Sequence, residues 1–389
     1  MNALAVALVL CILPAIALAQ PSTPPPVPVP TASPTTAVDP GYHLAPGPYK
    51  VTTVELLTLT DESRAKELRV KVRVPVVKGE EPQSTRPNAT PSGGPNSKSS
   101  AMPDTTTFPL ILFSHGLGGS KDAFGELCDH LASHGYVVIS PSHADSIAER
   151  TREGERVTRD NAFDIRQMTP KAKWGRVSDM TFILDSLDVI ESRVGTLRKP
   201  DGTGRIDRDR IAAAGHSAGA LTTQLLGGMK SRDPENTGGG AKADPRIKAA
   251  VVISGQGVNG LGIRETAWDE VAIPWLVITG SLDTVSISKE TPQTRRHPFE
   301  KARGKEKGGP PAYLLWIEGA THASYQGKSG SRVRGENPTT DIQTIYDCTR
   351  SATLAFLDAH VKKDAKAEKY LTNEKFQSLT DGAATLEAK

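Results

Sequence analysis

The sequence predicts an α/β fold, a mostly parallel central sheet with helices on both faces. Two patterns predict it. Short, continuous apolar runs recur along the chain, as strands buried on both faces require. Helical apolar periodicity fills the intervals between them. A third observation bears on function: Ser, Asp and His each fall directly after one of those runs, and an open parallel sheet gathers its chemistry at the carboxyl ends of its strands.

In chain order, residues 1–19 read as a secretory signal peptide. Ala3 to Leu18 is almost wholly apolar, and Ala17-Leu18-Ala19 is a small-x-small cleavage site before Gln20. Its first residues lack Lys and Arg. A retained membrane anchor is the alternative, but the run is short for a span. Lipidation at Cys11 is rejected because Leu10 is bulky where a small residue is needed. The expected location is secreted or periplasmic. Residues 20–47 form a linker, since ten prolines fall between Gln20 and Tyr49.

The main domain is expected over 48–363. Strands are predicted at Lys50–Leu57, Leu68–Val77, Leu110–Phe113, Val137–Ser140, Ile211–Ala214, Ala249–Ile253, Trp275–Thr279 and Tyr313–Ile317. Between the second and third lies 78–106, rich in Pro, Ser, Gly and Asn, read as a surface insertion. Asn88-Ala89-Thr90 within it is a glycosylation acceptor in a eukaryotic secretory host. Helical spacing runs through Val177, Met180, Leu184, Leu187 and Ile190, and again through Ile342, Ile345, Thr349, Ala352, Phe356 and His360. The stretch Asp145 to Lys173 has no clear period and follows a strand's carboxyl end, a position from which it can cover the site. Residues 364–389 read as a C-terminal tail, one short helix and then loose chain.

Composition narrows the function classes. A net charge of +3 with interspersed signs argues against nucleic acid or an anionic membrane as partner. No Cys/His zinc spacing, phosphate loop or dinucleotide fingerprint occurs, so no metal or cofactor is expected. Cys128 and Cys348 lie on apolar faces of two helices expected on the same side of the sheet, as a disulfide or as two buried thiols. Oligomeric state is left open.

Gly215-His216-Ser217-Ala218-Gly219 joins an apolar run to a helical one. A G-x-S-x-G turn between strand and helix holds a serine whose Oγ stands above the sheet edge. After another strand come Ser281-Leu282-Asp283-Thr284, and after the last Glu318-Gly319-Ala320-Thr321-His322. A serine hydroxyl needs a base to act as nucleophile, so His322 is assigned to take the proton of Ser217. Asp283 is assigned to hold the imidazole's tautomer, although an aspartate at such a turn also serves as a helix cap. The oxyanion of a tetrahedral intermediate is assigned to the backbone amides of Ala218 and of Leu117, which lies in Ser114-His115-Gly116-Leu117-Gly118-Gly119. His115 and His216 are read as structural. His143 is read as either lining the pocket or structural.

These motifs, in the chain order Ser, Asp, His, are those of the α/β hydrolases. Phe113-Ser114-His115-Gly116-Leu117-Gly118-Gly119, Leu131 to Val138 and Ala355 to Ala365 resemble the platelet-activating-factor acetylhydrolase and dienelactone-hydrolase-like branch, over roughly Tyr49 to Leu371. The resemblance implies a secreted serine esterase without cofactor, acting on a small-molecule ester. The chain departs from that branch twice. Ser217 stands where dienelactone hydrolases carry cysteine. The acid follows Ile278-Thr279-Gly280, as in cutinase-like polyester hydrolases, whereas platelet-activating-factor acetylhydrolases take theirs from the earlier strand, which here ends in Ile253-Ser254-Gly255. A phospholipid substrate is therefore not carried over. The alternatives are a peptidase or thioesterase on the same scaffold, or a non-catalytic binding module.

Overall fold

The computed structural model describes residues 42–77, 105–164, 170–231, 243–258, 260–327, 336–372 and 380–389. The signal peptide, most of the linker, nearly all of the insertion with Asn88, and part of the tail lie outside the described residues.

Nine strands form one sheet: β1 (Lys50–Asp61), β2 (Lys66–Val76), β3 (Phe108–Ser114), β4 (Val137–Ser142), β5 (Ile206–His216), β6 (Ile247–Ile253), β7 (Trp275–Leu282), β8 (Ala312–Thr321) and β9 (Ala384–Ala388). Their spatial order is β1-β2-β4-β3-β5-β6-β7-β8-β9. Neighbours from β4 to β8 pair in parallel, while β1/β2, β2/β4 and β8/β9 are antiparallel. The eight predicted strands are all present, most of them longer than the apolar run that marked them.

Successive strand residues point to opposite faces, so each strand feeds two cores. Leu110, Leu112, Ala213, Val252 and Val277 enter one, and Ile111, Phe113, Ala214, Val251 and Ile278 the other. Two short helices, α2 (Ile147–Arg152) and α3 (Arg159–Ala162), follow β4, and the first core is covered by α4 (Pro170–Asp185), α5 (Leu187–Arg193) and α6 (Ala218–Leu226). The second is covered by α1 (Gly125–Ser133), the helix Ile342–Leu357 and the helix Ala365–Leu371. Cys128 and Cys348 both fall in this second core as free thiols. Burial pushes them up to about 11 and about 12, which keeps them protonated and inert.

The tail reading needs correction. The short helix is there, but Ala384 to Ala388 form β9 on the outer edge of β8, with Tyr313 opposite Ala388 and Ile317 opposite Ala384. Ala384 is buried and Leu386 packs on the second core. An open sheet edge presents unpaired N–H and C=O groups, and this segment satisfies them on β8.

The chain leaves β3 in one direction to form β4 and returns on its other side to form β5. This reversal opens a crevice between the carboxyl ends of β3 and β5, the position where such sheets bind ligands.

Candidate active site

Ser217 sits in that crevice, at the turn from β5 into α6, with φ 55° and ψ −116°. A non-glycine residue held there costs roughly 1–3 kcal/mol. The flanking glycines follow from space. A Cβ on Gly215 would lie 2.4 Å from the Gly219 carbonyl oxygen, and one on Gly219 would lie 1.9 Å from that of Ser114. No side chain fits at either contact, so strand, helix and β3 close on one another around the serine.

His322 follows β8 and brings Nε2 to 3.0 Å from Ser217 Oγ. Its Nδ1 lies 2.9 Å from Asp283 Oδ1, beyond the end of β7. His216 Nε2–H donates to the His322 carbonyl at 2.8 Å, which supports the histidine's backbone. The three side chains singled out in the sequence thus form one hydrogen-bonded line. Gly116, next to Leu117, packs against the elbow, since a Cβ there would lie 3.5 Å from the Cβ of Ser217. Ala218 opens α6, where backbone amides have no intrahelical acceptor.

Asp283 is fully buried and accepts more bonds than a histidine alone supplies. Ser254 Oγ donates to Oδ1 at 2.8 Å, while Thr279 Oγ1 and the Tyr325 hydroxyl donate to Oδ2, both at 3.0 Å. Arg295 Nε lies 3.0 Å from Oδ1 as an ion pair and donates its hydrogen to the Asp283 carbonyl, also at 3.0 Å. Burial by itself would raise this carboxyl, but the Arg295 guanidinium and the His322 bond outweigh it and hold it well below the usual carboxylate range.

A buried clamp holds the turn after β3. Arg176 of α4 donates to the carbonyls of His115 at 2.7 Å and Gly116 at 3.3 Å. It also pairs with Asp145 through two bonds of 2.8 and 2.6 Å. Asp145 in turn accepts the Gly118 amide at 3.2 Å. Desolvation opposes ionisation of Asp145, yet Arg176 offsets it and keeps the carboxyl well below its ordinary range. His115 is structural, as expected: it bonds the Gly116 carbonyl through Nδ1 and accepts the His143 amide at Nε2. Burial, then the Arg176 charge, hold it neutral. Replacing Arg176 by Met removes one partner of a buried ion pair, so a loss of about 3–5 kcal/mol is expected, read by chemical denaturation.

His143 is not in a pocket wall. It is fully buried, with Nε2 accepting from Ser114 Oγ and Nδ1 donating to Asp179, each at 2.9 Å. The segment after Asp145 packs on the β3 turn. Ile147 N–H donates to the Gly118 carbonyl at 3.1 Å, and a Cβ on Gly118 would lie 2.9 Å from the Ala162 carbonyl oxygen.

Sequence reasoning missed Ser254, Arg295, Tyr325 and Arg176. Ser254 carried a signal, because it directly follows the apolar run of β6 as the other site residues follow theirs. Arg295 carried none. It is 1% exposed beside a solvent-reaching Arg296, and the pair look alike as letters.

Among the described residues, no group of His, Cys, Asp or Glu is arranged to hold a metal ion, and no helix is long and apolar enough to cross a membrane. Comparison with known proteins agrees with the architecture. Residues 88–172 match the family described as platelet-activating factor acetylhydrolase, isoform II. A ferulic acid esterase structure from Streptomyces cinnamoneus superposes with a TM-score of 0.53 at 20% identity, covering 91% of this chain and 98% of that one. The fold is that of the α/β hydrolases, and the elbow and these matches fit a relationship to that superfamily. Within it, the chain is similar to cutinase 1 of Thermobifida cellulosilytica, 25% identical over 56% of this chain and 62% of the cutinase. It is also similar to the platelet-activating factor acetylhydrolase of Bos taurus, 27% identical over 30% of this chain and 31% of that enzyme. Neither match spans two thirds of the relative's own length.

Proposed function

We propose that this protein is an exported serine hydrolase that cleaves carboxylic esters through an acyl-Ser217 intermediate. The continuous Ser217–His322–Asp283 line carries the reading. Ser217 Oγ attacks the ester carbonyl carbon while His322 Nε2 takes its proton. The carbonyl oxygen becomes an oxyanion, bound by the amides of Leu117 and Ala218. Collapse of the tetrahedral intermediate breaks the carbon–oxygen bond to the alcohol, which leaves with the proton returned by His322. Water then attacks the acyl-serine, again with His322 as base, and releases the acid.

Asp283 keeps Nδ1 protonated and offsets the charge that His322 gains in each step. The relatives named a cutinase and an acetylhydrolase support an ester as substrate, and Met1 to Ala19 supports export. The test is labelling with a fluorophosphonate followed by peptide mapping. One adduct on Ser217 is expected, and a protein that stays unlabelled at Ser217 would overturn the reading. A panel of ester, thioester and peptide substrates then defines the bond cleaved.

A further inference from the structure

An acid that orients a catalytic histidine ordinarily contributes its full negative charge, which raises the histidine's proton affinity. Asp283 is placed otherwise. A guanidinium lies against it, and three hydroxyls, those of Ser254, Thr279 and Tyr325, point at its two oxygens. Arg295 is 1% exposed and Asp283 0% exposed, so water screens little of that charge.

Arg295 is also built into the backbone on both sides of the acid. Its Nε donates to the Asp283 carbonyl at 3.0 Å, and its Nη1 donates to the carbonyls of Ser254 at 2.7 Å and Gly255 at 3.1 Å. Ser254 itself is held at φ 53°, in the left-handed region a serine rarely adopts. In that conformation its Oγ stands 2.7 Å from His322 Nδ1 and 2.8 Å from Asp283 Oδ1. Donating its hydrogen to the carboxylate leaves it to accept from the Nδ1–H. The imidazole hydrogen is thus shared between a carboxylate and a neutral oxygen.

We propose that Arg295 is the buried counter-ion of the site's own acid and sets the pH at which His322 can act as base. The inference rests on the serine-hydrolase reading above. Arg295 is a positioning residue in this role, since it reaches His322 through Asp283 and Ser254. The sign is fixed by charge. A cation near the imidazole disfavours the imidazolium, and by pairing with Asp283 it weakens the pull that favours it. His322 therefore gives up its proton at a lower pH than beside an unpaired aspartate.

Among the described residues, other groups also face this cluster. His216, at the end of β5, has its ring centroid 4.7 Å from that of His322. Tyr325 comes from the turn Ser324–Gln326, where burial and then Asp283 hold its phenol protonated. Glu336 accepts the Ala323 amide next to His322 at 2.7 Å. Ser217 completes the ring at Nε2.

The experiment follows the His322 ring by NMR titration, assigned by its loss in His322→Gln, in the full-length protein and three variants. Arg295→Gln is expected to raise the His322 pKa by about one unit. Arg295→Lys retains the charge and is expected to stay near wild type. Tyr325→Phe removes one donor to Asp283 and is expected to give a smaller rise in the same direction. In parallel, kcat/KM for p-nitrophenyl acetate is measured against pH. The acid limb is expected to move by the same amount in Arg295→Gln, about a tenfold loss, relative to that variant's own plateau, at a pH well below the pKa. If Arg295→Gln does not fold, Arg295→Met, which keeps the apolar stem and removes the charge, carries the test. A His322 titration that stays at the wild-type value in the folded neutralising variants overturns the proposal. A shifted titration without ester turnover in any variant supports it and overturns the esterase reading. Turnover with an unmoved acid limb overturns it and leaves that reading standing.

Discussion

Ser217→Ala is expected to lower kcat for a short p-nitrophenyl ester by about 10⁵–10⁶-fold while the protein stays folded. The loss is large because Ser217 and His322 act as a unit, and removing either leaves only the binding and oxyanion contributions. Stability is expected to hold or rise slightly. The substitution removes Oγ and its bond to His322 but leaves the anchors of the turn. The Ser217 amide still reaches the Ile253 carbonyl at 3.0 Å, and Gly215 and Gly219 still allow the close packing. Turnover and the thermal transition are measured on the same preparation. Turnover within a few-fold of wild type would move the nucleophile to another residue.

Asp283→Asn is expected to cost about 10⁴-fold in kcat, through the tautomer rather than through contact with substrate. The carboxylate receives hydrogens from His322 Nδ1–H, Ser254, Thr279 and Tyr325, and the Arg295 guanidinium pairs with its charge. An asparagine amide in this cage presents an N–H where the carboxylate oxygen stood, 2.9 Å from Nδ1, and the imidazole then accepts there instead of donating. His322 then keeps its hydrogen on Nε2, facing Ser217, and can no longer accept one there. Unlike Ser217→Ala, this variant also loses stability, because Arg295 remains buried without its anion. A loss of kcat with an unchanged denaturation midpoint would contradict this account of the cage. A loss of stability with nearly normal kcat would show that another group orients the base.

Much of this arrangement was legible in the sequence, and for a definite reason. Buried parallel strands are apolar on both faces, so Leu110 to Phe113 or Trp275 to Thr279 stand out as runs, and whatever follows them lies at one end of the sheet. That rule pointed to Ser217, Asp283, His322 and Leu117, and the side chains of the first three meet in one hydrogen-bonded line. It did not find β9, an edge strand with Thr and Glu among its residues, because its pairing depends on a partner more than sixty residues earlier. Nor did it find two of the buried arginines, those that hold the site's turns. Arg176 and Arg295 are inside because carboxylates and main-chain carbonyls await them there, and that information lies in the tertiary contacts of Asp145, Asp283, His115 and Ser254. Local pattern shows where the chain is apolar. It does not show which charges the fold has paired.

The bonds of Ser114, His143 and Asp179 deserve comparison with those of Ser217, His322 and Asp283. In the first line the steps are 2.9 and 2.9 Å, in the second 3.0 and 2.9 Å. The same residue types recur in the same order at nearly the same spacing, within one chain. Ser114 is sealed, with none of its surface exposed, and it continues a strand with no bend to lift its hydroxyl out. Ser217 sits on a turn that pushes it into the crevice. An electrophile has a path to the second and none to the first. Reactivity in this fold is thus a matter of admission: a relay of three side chains is a strut where nothing can enter, and becomes a reaction centre only where the backbone opens a door.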